Sequence, residues 1–359
     1  MQGNRNRSLF TSFSFGILTL LAACVKQPAQ QSAETETFTL IPKPAEKRVD
    51  VLVDGELFTS YIYPDELKKP VLYPVLSPAG NPITRGWPFA PREAERIDHP
   101  HQVGMWLNYG NVNGLDFWNN SEAIPQERRQ HYGTIRHQAV TLLQNGNDKA
   151  ELQVRAHWLK PDSSILLREE TTFIFSGTAN SRTIDRITTL TATNEDVLFQ
   201  DSKEGMYAIR VARELEHLTA KPSKYIDAAG QEQDLSKGSH PTITGNYHSS
   251  EGISGEEVWG TRAKWVELIG TIREEPVSLI LLDHPQNIGY PTYWMARGYG
   301  LFSANPLGQK EMSGGKEELN FKLPAGKSVT FRYRFIVQSG TRPTQEQLQA
   351  AFERFSASE

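Results

Sequence analysis

A chain of 359 residues with 38 basic and 42 acidic side chains carries a formal charge of −4, without the basic footprint that nucleic-acid binding leaves. Charged residues at 22% and aromatic residues at 10% describe a chain too apolar to be disordered. One Cys excludes an internal disulfide framework and any cysteine-rich metal centre.

Arg5 and Arg7 precede an apolar stretch from Phe13 to Leu21, and Leu21-Ala22-Ala23-Cys24 follows. Small residues before a Cys at the end of such a stretch resemble the bacterial lipobox. Residues 1–23 therefore read as a lipoprotein signal peptide and Cys24 as the lipidated residue. The apolar run is shorter than the ~20 residues of a bilayer span. Residues 24–36 are polar and aperiodic, the pattern of a flexible tether. By the rule of the lipoproteins this segment resembles, Val25 rather than Asp after the Cys implies anchoring in the outer membrane, facing periplasm or cell surface.

From Phe38 onward the dominant period is two. Leu152, Val154, Ala156 and Trp158 alternate with Gln153, Arg155 and His157, and Phe331, Tyr333, Phe335 and Val337 alternate with arginines. Turn signals recur at Pro78-Ala79-Gly80-Asn81-Pro82, Asn113-Gly114, Asn145-Gly146-Asn147-Asp148 and Ala325-Gly326. Pro222 to Ser254 reads as a polar excursion or lid. Val277 to Leu282, apolar on both faces, reads as a central strand covered on both sides. Thr344 with Gln347 forms a capping box ahead of the stripe Leu348, Ala351, Phe352 and Phe355. These signals predict an all-β protein: a single large antiparallel β-sandwich over 37–343 with a C-terminal helix over 344–359 packing on it.

Polar residues cluster where the strand pattern breaks. The first cluster is Asp98-His99-Pro100-His101-Gln102, leading to Trp106 and Asn108. With His99 held extended by Pro100, its imidazole and that of His101 would project to one side. Three readings follow: a divalent metal at His99 and His101, a polar corner, or a substrate pocket using the histidines for acid/base work. The second cluster, Asp201-Ser202-Lys203-Glu204-Gly205, leads to Arg210, and Lys203 and Glu204, adjacent on a strand, should face opposite ways. The third is Asp283-His284-Pro285-Gln286-Asn287, and the fourth runs from Tyr290-Pro291-Thr292-Tyr293-Trp294-Met295-Ala296-Arg297 on to Gly308. Asp98 and Asp283 can orient the histidines that follow them, and the repeated Asp-His-Pro leaves open a two-halved fold. The candidates are thus His99, His101, Glu204 and His284 for catalysis. Asp98, Trp106, Asn108, Lys203, Arg210, Asp283, Tyr293, Trp294 and Arg297 are the candidates for substrate binding. Indole rings beside Asp, Asn, Arg and His suit a carbohydrate. No nucleotide-binding glycine motif and no G-x-S-x-G elbow is present, so neither a nucleotide cofactor nor a serine hydrolase is expected.

The ordered segments DHPHQVGMWLNYGNVNGLDFW (98–118), KEGMYAIRVA (203–212), DHPQN (283–287) and PTYWMARGYGLFSANPLG (291–308) resemble a bacterial family labelled "PmoA family" or methane oxygenase. Gln102 and Met295 stand where His is common in that family. The resemblance implies a galactose-mutarotase-like supersandwich in a lipoprotein handling carbohydrate. Methane oxidation is rejected: methane offers no hydrogen-bonding group, and the body carries no span. The expected function is acid/base chemistry on a sugar or glycoside, of epimerase, lyase or hydrolase type. The alternative is a non-catalytic glycan-binding lipoprotein of a polysaccharide-utilisation system. No cofactor is expected, apart from the possible metal.

Overall fold

The alternation of apolar and polar residues builds two large antiparallel sheets. The computed structural model describes residues 36–217, 223–227, 229–234 and 243–358, with residues 3, 8, 9 and 12. Cys24 and nearly all of the expected signal and tether lie outside the described residues. Contacts divide the chain into Met1–Glu34 and Thr35–Glu359, and the second unit carries both sheets.

In spatial order the nine-stranded sheet runs Tyr293–Ala296, Leu301–Asn305, Gly205–Arg210, Met105–Tyr109 and Val71–Val75. It continues through Glu56–Ile62, Arg48–Val53 and Thr37–Lys43 to Gly146–Asn147. The eight-stranded sheet runs Asn246–Ser249, Trp265–Ile272, Glu275–Asp283 and Ser328–Ser339. Ser181–Ala192, Ile165–Thr178, Lys149–Leu159 and Thr134–Gln144 complete it. The core lies between their facing sides. Phe58 meets Phe175 edge-on at 6.2 Å, and Tyr207 stacks on Tyr333 at 5.1 Å.

Several predicted elements recur with additions. The turn at Asn145 to Asp148 joins Thr134–Gln144 to Lys149–Leu159, and its Gly146–Asn147 also pairs with Thr37 and Phe38 of the other sheet. The strand through Val277–Leu282 is covered on both faces. Val277, Leu279 and Leu281 enter the inter-sheet core, while Ile280 and Leu282 meet the C-terminal helix. That helix, Gln345–Ser356, keeps both halves of its capping box and buries Leu348, Phe352 and Phe355. The stretch read as an excursion differs from expectation: its last part, Asn246–Ser249, is an edge strand of the eight-stranded sheet. Among the described residues no helix is long and apolar enough to cross a membrane.

Alternation also sets the outward side of the nine-stranded sheet. On Met105–Tyr109, the side chains of Met105, Leu107 and Tyr109 face the core. Trp106 turns outward into a second apolar cluster with Val103, Trp118, Ala208, Tyr293, Met295 and Leu301. Register places Trp106 opposite Ala208, Ala208 opposite Ser303, and Ser303 opposite Met295, one row across four strands.

Candidate functional site

The loop Asp98–Gln102 lies over the outward cluster as a tight turn. Gln102 N–H donates to His99 O at 2.9 Å, and His99 has φ 48, in the left-handed region. The expected extended His99 is therefore corrected. Pro100 disfavours the right-handed helical conformation at His99, and the chain turns instead, at a cost of about 1–2 kcal/mol for a non-glycine residue.

Two buried cations hold the turn from within. Arg85 Nη1 donates to Asp98 O at 2.7 Å and Asp98 Oδ1 at 3.0 Å; Arg85 Nη2 donates to His99 O at 3.1 Å and Gln102 O at 2.7 Å. Lys69 Nζ donates to His101 O at 2.6 Å and sits 5.2 Å from the Trp106 ring centroid. The carbonyls a buried turn would otherwise leave unpaired are thereby satisfied.

Arg210, fully buried, donates from Nη2 to Asp98 Oδ1 at 2.7 Å and from Nη1 to Gln102 Oε1 at 2.5 Å. His99 Nδ1 lies 3.2 Å from the same Asp98 oxygen. The His99 ring is parallel to that of Tyr299 at 5.1 Å, and Arg210 lies 4.7 Å from the Tyr299 centroid. His101 meets His99 edge-to-face at 5.7 Å. Asp98, His99, His101 and Arg210 thus converge. Among the described residues no group of three His, Cys, Asp or Glu side chains is arranged to hold a metal ion.

The charge states follow from these surroundings. Asp98 loses hydration on burial, but His99, Arg210 and Arg85 hold its carboxyl well below the usual range. Burial, then the nearby Lys69, His99 and arginines, push His101 well below 6.5, so its imidazole is neutral. Burial lowers Arg85, with Arg210 repelling it; its guanidinium stays charged. Burial brings Lys69 down to about 7, opposed by the attraction of Asp116. Burial raises Asp116, and the Glu204 carboxylate adds to this, while hydrogen bonds from Asn119 and Trp118 oppose it.

The remaining candidates divide. Tyr293 is on the outward face and Arg262 lies 4.3 Å from its ring centroid. Arg297 lies 4.7 Å from the centroid of Trp259, a half-buried ring packed against the outward cluster. Lys203 and Glu204 do not lie on opposite faces of a strand as expected. They precede Gly205–Arg210 in a loop and pair with each other at 2.8 Å. Asn108 is buried with its amide committed: Oδ1 accepts from Trp106 Nε1 at 3.0 Å, and Nδ2 donates to Phe117 O at 2.6 Å. It orients Trp106 and, fully buried, lies out of a substrate's reach. Trp106 is itself fully buried, part of the floor.

Three candidates lie elsewhere. Trp294 alternates with Tyr293 and Met295, so it faces the inter-sheet core, where its Nε1 donates to Ala263 O at 2.9 Å. Asp283 ends a strand of the other sheet, fully buried, accepting from Asn287 Nδ2 at 2.7 Å and Thr292 N at 2.9 Å. His284 is fully buried against the C-terminal helix, edge-on to Phe355 at 5.0 Å. The second Asp-His-Pro is thus a structural corner, not a counterpart of the first.

Lys69, Arg85, Asp116 and Tyr299 join the cluster without having been singled out. Lys69 follows Lys68 in a loop, and nothing local distinguishes it from a surface lysine. Tyr299, within Arg297-Gly298-Tyr299-Gly300, lay inside a recognised segment and was the more discoverable. His101 Nε2, Trp118 Nε1 and Trp259 Nε1 are buried atoms with no hydrogen-bond partner among the described residues. Each such group costs about 1–3 kcal/mol unless water or a ligand supplies the bond.

Sandwich and cluster together define an all-β protein with charged, imidazole-bearing groups over an aromatic floor on the outward face of its larger sheet. The chain belongs to a family of unknown function, DUF6807, matched over residues 48–353. No curated protein matches it. Among solved structures it is similar to the galactosidase domain of an alpha-galactosidase–sucrose kinase, at 9% identity and TM-score 0.37, covering 84% of this chain and 41% of that one. It is similar to a putative aldose 1-epimerase from Escherichia coli K12, at 10% identity and TM-score 0.34, covering 86% and 100%. The alpha-galactosidase of Lactobacillus brevis gives 10% identity and TM-score 0.36, covering 88% and 41%. Likeness at this level speaks to neither substrate nor reaction.

Proposed function

We propose that this protein is a lipoprotein, anchored through Cys24 in the outer membrane, that acts on a carbohydrate or glycoside by acid/base chemistry. The observation that carries the reading is the meeting of Asp98, His99, His101 and Arg210 over the floor of Trp106 and Trp118. A polyhydroxylated ring needs donors and acceptors at several points and an apolar face beneath it. Arg297 donates to substrate oxygens, buried Arg210 holds Asp98 and Gln102 in place, and neutral His101 carries an unpartnered Nε2. Lys69, near 7, can hold or release a proton in the working range. Glu204, at the more open rim, supplies a carboxylate. Such groups serve proton transfer in epimerisation, elimination or hydrolysis. Methane has nothing for them to bind.

The test is a panel of oligosaccharides and oxidised sugars. Replacing His101→Ala should lower turnover by about 10²-fold or more while unfolding stays cooperative. Undiminished turnover in that variant overturns the catalytic reading. The half-buried rim rings Trp259 and Tyr299 favour a second reading, glycan binding without turnover. In that case binding survives His101→Ala and is lost with Trp259→Ala. Metabolic labelling with a fatty acid, abolished by Cys24→Ala, checks the anchor.

A further inference from the structure

A groove of about 410 Å³ opens beside the short 3-10 helix Gln126–His131 and the strand Thr134–Gln144. Lys68, Arg129, Arg136 and Lys160 line it, and no Asp or Glu does. The nearby acids lie off the lining. Glu122 pairs with Lys68 and reaches Arg129 at 3.6 Å, and Glu195 pairs with Lys160 at 2.8 Å. Arg136 has no carboxylate within ion-pairing distance among the described residues. Its Nη1 donates only to the carbonyls of Asp65 and Leu67, at 3.2 Å each.

We infer that this groove binds an oxyanion carried on a sugar chain: a uronate carboxylate or a sulfate ester. Three of the four cations have carboxylate partners off the lining, whereas the Arg136 guanidinium has none within ion-pairing distance among the described residues and keeps the planar fork that matches an oxyanion. The groove is far larger than the ~30 Å³ share of a single water, so a lone inorganic anion would leave most of it empty. Gln130 and Ser163 supply hydrogen-bonding partners for hydroxyl groups, and Tyr132 and Pro161 wall the space with ring surfaces. Lys68 lines the groove while its neighbour Lys69 lies beneath the candidate site, so the two places adjoin at this dipeptide. The saccharide part of the inference rests on the reading of that site; the charge preference does not.

Calorimetry on the full-length protein decides it, in detergent with a galacturonate trimer, a sulfated tetrasaccharide, a neutral cello-oligosaccharide and inorganic sulfate as probes, and without detergent with phosphatidylglycerol vesicles. The acidic oligosaccharides should bind, and more weakly as salt is raised. The double variant Arg136→Gln/Lys160→Gln should lose roughly tenfold or more in affinity for them, with the neutral probe unchanged. Because Arg136 also braces two backbone carbonyls, Lys160→Gln alone provides a variant that leaves that bracing intact and should show the same direction. Acidic and neutral oligosaccharides binding alike, or a response to inorganic sulfate or vesicles only, would overturn the inference. His101→Ala should leave acidic binding in place; its failure to affect turnover sinks the catalytic reading of the site and leaves the groove's charge preference standing.

Discussion

Lys69 shows how one residue changes meaning with depth. On the surface its ammonium would be fully hydrated; here it is 3% exposed, braces the His101 carbonyl and lies against Trp106. Burial disfavours the charged form, which brings the group from 10.5 to about 7. The folded chain therefore binds fewer protons than the unfolded chain between these two values, and stability rises with pH across that window. The penalty is fully present below pH 7 and is relieved progressively as pH rises from about 7 to 10.5. Urea unfolding between about pH 7 and 10 should show this rise in the native protein and a flatter profile in Lys69→Met. An equal slope in both would mean the amine is not desolvated. Asp98 works in the opposite sense. Its depressed folded value gives stability that is present above its unfolded 3.8 and lost as pH falls below it.

Among elements, the C-terminal helix has the clearest energetic assignment. Its capping box satisfies two N-terminal backbone donors, and its apolar stripe covers Trp265, Ile280 and Leu282 of the eight-stranded sheet. Thr344→Ala should cost about 1 kcal/mol in unfolding free energy, and Phe352→Ala about 3–5 kcal/mol, as expected for a buried phenylalanine. Equal costs would mean that the helix is held mainly by its cap. Neither change touches Arg210 or the turn it anchors, so the proposed site should persist in both variants. The strand Tyr293–Ala296 carries a complementary lesson. Trp294 and Met295 differ by one position and by the whole thickness of the sheet, so Trp294→Ala should cost stability, about 3–5 kcal/mol, without reaching a ligand directly.

On the scale of the molecule, buried Asp283 gives a second signature in pH. Desolvation raises its carboxyl from 3.8 to about 7, against hydrogen bonds from Asn287 and Thr292. The folded state then holds a proton that the unfolded state has lost, so stability falls as pH rises from about 4 to about 7. Asp283→Asn should flatten that part of the profile, measured by urea unfolding, while leaving the candidate site intact. A profile unchanged by the substitution would show that Asp283 is already ionised in the folded protein.

How much was legible depended on the range of the interaction. Period-two alternation and turn residues are short-range signals, because successive side chains on a strand must point to opposite sides; they led to two packed sheets and, with Thr344 and Gln347, to the capped helix. Asp98, His99, His101 and Arg210 stood out because polar residues interrupted that alternation. Which clusters would meet was another matter. The two Asp-His-Pro segments are chemically alike, yet one turns over the outward face of the larger sheet while the other ends a strand of the opposite sheet under the terminal helix. Their separation depends on strand order, and the partners that distinguish them — Arg85, Lys69 and Arg210 for the first, Phe355 for the second — are remote in the chain. Local pattern therefore determined the strands, the sandwich and the terminal helix. The partnering of imidazoles and acids, and the burial that turns an ordinary lysine into a group near neutrality, were decided only by the tertiary structure, because hydration and charge pairing depend on neighbours that chain order does not specify.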